Sequence, residues 1–91
     1  MALSKTTVVD KIEVLEKGQI QVRTATRIME DGVQLSSSFH RHVVDPSTKD
    51  GDTWGDTDIS GEDARVQAIA TATWTSSVKT AYQEMMDAQA I

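Results

Sequence analysis

The sequence predicts an α+β fold: a three-stranded antiparallel β-meander followed by one or two C-terminal helices. Three observations carry this. From Val8 to Val44 the chain is rich in Val, Ile and Thr, punctuated by glycine at positions 18 and 32. From Gly61 onward it turns Ala-rich, with apolar residues at helical spacing. Between them lies an acidic stretch holding Pro46, the only proline. The 91 residues then divide into a meander at 8–44, an acidic loop at 45–60 and a helical segment at 61–90, all within one small domain.

Asp31-Gly32 is a strong hairpin signal, because a type I′ turn needs positive φ at both central residues. Pairing across it sets Ile28 opposite Leu35, Thr24 opposite Phe39 and Ile20 opposite Val43. At the first turn, a three-residue loop Glu16-Lys17-Gly18 sets Val14 opposite Ile20 and Ile12 opposite Val22, with Gly18 in the left-handed position of a G1 bulge. A two-residue loop would turn every side chain over, so the three-residue loop is preferred. The predicted inner face carries Ile12, Val14, Ile20, Val22, Ile28, Leu35, Phe39 and Val43. The predicted outer face carries Lys11, Glu13, Gln21, Arg23, Arg27, Gln34, His40 and His42.

Ser60 is placed to cap a helix, with Glu62 and Asp63 in its first turn where the helix dipole favours acids. That helix runs from Ala64 to Trp74, with Val66, Ile69, Ala70 and Thr73 on one stripe. The threonines at 71, 73 and 75 keep it short. Thr75 caps a second helix reaching about Gln89, with Val78, Ala81, Tyr82 and Met85 inward and Met86 at the margin. Three strands with one apolar face need a cover, and these helices supply it.

Charge and composition exclude several classes. The formal charge is −5, against a nucleic-acid footprint. It is also uneven: residues 1–44 sum to +1, residues 45–63 to −6 and residues 64–91 to zero. With no cysteine there is neither a disulfide nor a thiolate zinc site. No apolar run approaches a membrane span and the N-terminal residues do not read as a signal peptide, so the expectation is a soluble chain without a membrane partner. A chain this short buries roughly 60–65% of its unfolded surface. Such a thin core points to dependence on a partner or on self-association.

The acidic loop resembles a calcium-binding loop in two frames. From Asp50, residues Asp52, Gly55, Asp56 and Asp58 fit, but Trp54 stands at the fifth position and Gly61 replaces the final glutamate. From Asp56, residues Asp58, Ser60 and Gly61 fit, but Gln67 replaces that glutamate. Losing the bidentate glutamate removes two ligands, so a solvated loop or one docking on a basic partner is preferred. His40 and His42, at i and i+2 on one strand face, could chelate a metal, but no third ligand is fixed by the sequence. The preferred reading is a polar strand face, open to an intersubunit contact. Ser36, Ser37 and Ser38 make no nucleophile elbow and read as an edge strand or a packed small-residue surface. No phosphate loop is present, and no catalysis or cofactor is expected. Trp54 has two readings, a lid over the core or an anchor in a partner's pocket. Trp74 reads as core and Met85-Met86 as a packing or oligomer seam. The candidate partner-binding residues are therefore Asp50, Asp52, Trp54, Asp56 and Asp58 in the loop, and His40 and His42 on the strand.

The run Lys11 to Thr24 resembles a family of small bacteriophage proteins, as do Glu30-Asp31-Gly32-Val33, His40-Arg41-His42-Val43 and Glu62 to Ala70. The resemblance spans most of the chain and brings no catalytic motif. It implies a protein encoded among tail and other virion structural genes. The family joins the histidine strand to the helix by a short proline-and-aspartate loop; residues 46–59 look like an expansion of it. The expectation is a virion structural protein of the tail or tail-fibre apparatus, assembled in the host cytoplasm. It would be present in many copies or as a homo-oligomer and would meet other phage structural proteins through interfaces. The alternative is a helper outside the virion, such as a tail-fibre assembly chaperone or small regulator.

Overall fold

The computed structural model describes residues 2–89; position 90, the end of the predicted helical segment, lies outside them. The chain is α+β, as its sequence predicts. Strands β1 (Leu3–Val14), β2 (Ile20–Glu30) and β3 (Val33–Val44) form an antiparallel meander in the order β1-β2-β3. A second hairpin follows, β4 (Ser47–Asp50) and β5 (Thr53–Asp56), and then helices α1 (Ala64–Thr73) and α2 (Ser76–Gln89).

The first turn has the three-residue loop. Val14 faces Ile20 and Ile12 faces Val22, while Gly18 takes φ +90° and donates to the Leu15 carbonyl at 3.0 Å. Asp31 and Gly32 both take positive φ, as a type I′ turn requires. Two bulges then separate the sheet from its simplest register. One lies between Val9 and Lys11, leaving Asp10 unpaired in β1. The other leaves Leu35 unpaired in β3, between the pairs Ile28–Ser36 and Met29–Gln34.

The Leu35 bulge corrects the predicted faces. Beyond it Ile28 faces Ser36, Thr24 faces His40 and Ile20 faces Val44, one residue from the expected partners. A one-residue slip reverses a strand. His40 and His42, expected on the outer face, therefore join Ile20 and Val22 on the side the helices cover. Phe39 and Val43, expected inside, stand outside with Leu35, all about half exposed. Val14, opposite Ile20 on the β1 edge of the base, is also exposed.

Three boundaries differ as well. β1 begins at Leu3, five residues before the predicted start, because Leu3 to Thr7 pair along β2 as far as Glu30. The predicted acidic loop contains the β4–β5 hairpin. Gly51, at φ +63°, opens its two-residue turn. The α1 cap is Asp63 instead of Ser60: its carboxylate accepts the Arg65 backbone N–H at 2.9 Å, and the first helical turn holds no acid. Thr75 caps α2 as expected, its hydroxyl accepting the Val78 N–H at 3.3 Å.

The core is small and lies at one end. Ile20, Val22 and Val44 of the sheet meet Val66 and Ala70 of α1, with Val9, Ile12, Ile59, Ile69 and Trp74 packed around them. The predicted core position of Trp74 is filled, though the residue is only partly buried. Its indole N–H donates to the Gly18 carbonyl at 2.7 Å. Strands of this length span roughly 40 Å, far beyond two short helices. The molecule is accordingly 57 Å long and about 26 by 22 Å across. The sheet has a covered base and a projecting arm.

Candidate protein interface

The acidic segment is held largely by its own chain. Trp54 packs edge-on against Tyr82 of α2, ring centroids 6.0 Å apart, and its indole N–H donates to Asp87 at 3.3 Å. Lys49, across the hairpin from Trp54, reaches the other Asp87 oxygen at 3.0 Å. These two donors, Lys49 first, hold the Asp87 carboxyl below its ordinary range. Asp56 accepts from Lys79 of α2 at 2.8 Å, and the buried Ser47 hydroxyl accepts from Gln83 at 3.1 Å. The Trp54 indole pins the hairpin to α2. Beneath it, burial and then the Asp45 carboxylate push the Tyr82 hydroxyl above its ordinary value. Asp58 accepts the Ser60 backbone N–H at 2.9 Å, which lowers its carboxyl. Asp50 and Asp52, at the hairpin turn, remain exposed and have no side-chain partner among the described residues.

His40 and His42 lie side by side on the helix-facing side of β3, rings 6.3 Å apart and inclined by 27°. His42 Nε2 meets Glu62 Oε1 at 2.8 Å, tying the edge strand to the turn before α1. Among the described residues no three His, Asp or Glu side chains are arranged to hold a metal ion. None of the helices there is long and apolar enough to cross a membrane.

The arm is the least covered part of the chain. Asp10, freed by its bulge, binds Arg23 through two hydrogen bonds of 2.9 and 2.8 Å, and this pairing lowers the Asp10 carboxyl. The Arg23 guanidinium in turn lies 4.4 Å from the centre of the Phe39 ring. Lys11 pairs with Glu13 at 2.7 Å, lowering the Glu13 carboxyl. A groove of about 270 Å³ runs between these pairs, bounded by Lys11, Arg23, Arg41 and Val43. On this outer face Leu35 is 56% exposed, Val43 55% and Phe39 49%; Leu3 and Val33, both 63% exposed, flank Glu30 on the opposite face at the tip of the sheet. Every residue from Asp31 to Arg41 is exposed.

The two groups of predicted residues are not brought into one site. Asp56 and Trp54 meet α2, Asp50 and Asp52 lie at the hairpin turn and Asp58 in the turn before α1, while His42 meets Glu62 with His40 beside it. The strongest candidate interface, the arm around Phe39, was not among them. Its sequence signal was the uncharged run Val33 to Phe39, which reads as buried until the bulge is known. Comparison with family models, with curated proteins and with solved structures returns no match.

Proposed function

We propose that this chain is a structural component of a bacteriophage virion, in or near the tail or tail fibre, and that it acts through protein interfaces without catalysis. The resemblance of its strand and helix segments to small phage proteins suggests the setting. The uncovered arm carries the mode of action. A half-buried antiparallel sheet buries one face on its own helices; in the outer part of this sheet the flanking strands are exposed and β2 between them is only partly buried apart from Ala25. Leu35, Phe39 and Val43, all about half exposed on the edge strand, are the apolar groups such a sheet would offer a partner. Repeated copies or neighbouring subunits would supply the burial that the small core lacks. In this reading Asp50 and Asp52, exposed at the β4–β5 turn, offer a second, electrostatic contact with a basic partner.

Mass spectrometry of purified virions tests the reading. The chain should copurify with particles at a fixed ratio to a known tail protein. Its absence from particles, with abundance in infected cells, would replace this reading with the helper alternative.

A further inference from the structure

We propose that a second copy of this chain pairs with the β3 edge, antiparallel about a two-fold axis at Phe39, to make one six-stranded sheet. This rests on the interface reading above and names its first partner. A three-stranded sheet has two edges, and here they differ. The β1 edge is broken by the Asp10 bulge and carries Lys5 and Lys11, and the Arg65 guanidinium donates to its Val9 carbonyl. Bulges, lysines and side-chain caps of this kind are how proteins blunt a free edge. The β3 edge has no strand neighbour except β2 among the described residues, and from Val33 to Phe39 it has neither charge nor proline. The Leu35 bulge lies toward the tip and leaves Ser36 to Val44 in regular register, with Arg41 and the His42–Glu62 contact confined to the base.

The strand is also complementary to itself. Opposed residues share a face, so a two-fold pairing can be centred only on a residue. Centred on Phe39, the pairing sets the two Phe39 rings against each other. Regular pairing then runs from Ser36 opposite His42 inward, and beyond it Val43 comes beside the bulged Leu35 of the second copy, gathering the exposed apolar side chains of β3. Ser37 faces Arg41 and Ser38 faces His40, small against large, and no two like charges oppose. Centred on Ser38, Phe39 would face Ser37 and Arg41 would face Leu35. Centred on His40, the imidazoles would face each other and Val43 would meet Ser37. Centred on Ser37, Phe39 would face Leu35, but the bulge would leave only Ser36 to Ser38 in regular pairing; centred on Arg41, Phe39 would face Val43 with the two guanidiniums opposed. The Phe39 centre sets apolar against apolar within the regular segment Ser36 to His42, and cross-strand pairs of that kind stabilise a sheet. The contact is isologous and closes on itself as a dimer.

The test is the mass of the full chain in solution, with engineered variants. The wild type should sediment at twice its 10.0 kDa monomer mass. Phe39→Lys and Phe39→Glu should each be monomeric with an unchanged circular dichroism spectrum, since Phe39 is half exposed. Their mixture should recover the dimer. The chain has no cysteine, so a single introduced thiol reports one place. Phe39→Cys should cross-link to itself on oxidation. Ser37→Cys should not, because its counterpart would lie roughly 13 Å away along the strand. A monomeric wild type, or cross-linking of Ser37→Cys in preference to Phe39→Cys, would overturn the pairing. A monomer found in virions would overturn the pairing alone; a dimer missing from virions would overturn the virion reading alone.

Discussion

The indole of Trp74 donates a hydrogen bond of 2.7 Å to the carbonyl of Gly18, joining the end of α1 to the first hairpin turn across 56 residues. The turn is shaped for this. Gly18 is buried at φ +90°, and a Cβ there would lie 2.6 Å from Val78 Cγ1. Gly18→Ala should therefore lower stability by about 2 kcal/mol, combining left-handed strain with overpacking. Trp74→Phe keeps much of the packing and loses the bond, for about 1 kcal/mol. Urea unfolding of the two variants checks both values.

The unequal burial of the sheet predicts unequal sensitivity to truncation. Ile20→Ala at the base empties space against Val66 and should cost about 2–5 kcal/mol. Leu35→Ala on the arm should change monomer stability by no more than about 0.5 kcal/mol. Thermal melts at a concentration that keeps the chain monomeric separate the two.

Trp54 should matter locally. Trp54→Ala removes the Tyr82 packing and one of the Asp87 donors, so the β4–β5 hairpin should lift from α2. Hydrogen exchange should speed up in residues 47–56, while β1 to β3 keep their protection. The stability loss should be about 1–3 kcal/mol, because the residue is only partly buried.

Acid should destabilise the chain. Asp10, Glu13, Asp58 and Asp87 are held below their ordinary values in the folded state by Arg23, Lys11, the Ser60 backbone and Lys49. Their contribution is full above the unfolded carboxylate range near pH 4 and is lost as pH falls through the lower folded values. The melting temperature should fall on acidification below about pH 4. Asp10→Asn should flatten that fall, as titration of its melting temperature would show.

The three meander strands, both turns between them and the two helices were legible in the sequence because each has a local cause; the β4–β5 hairpin within the acidic stretch was not. Gly18 and Asp31-Gly32 announce their backbone angles, and Thr75 its cap. What the sequence hid was the unpaired residue in β3. Nothing in Val33-Gln34-Leu35-Ser36 marks which residue will be left over. That single choice decides whether Phe39 or His40 faces the helices. Trp54 stood out in the sequence, but Tyr82 and Asp87, which it meets, did not, since they lie about thirty residues further on. The Asp10–Arg23 pair was hidden for the same reason as the register, a bulge that frees the carboxylate from the ladder.

The placement of the core also orders the molecule in time. Ile20, Val22 and Val44 precede the helix that covers them, and α1 begins about twenty residues after Val44, a delay of roughly one to four seconds at ordinary rates of translation. A nascent chain thus presents a finished meander with a bare apolar base before its lid exists. Until Val66 and Ala70 emerge, that base is open to any hydrophobic neighbour, including the same segment of another nascent chain.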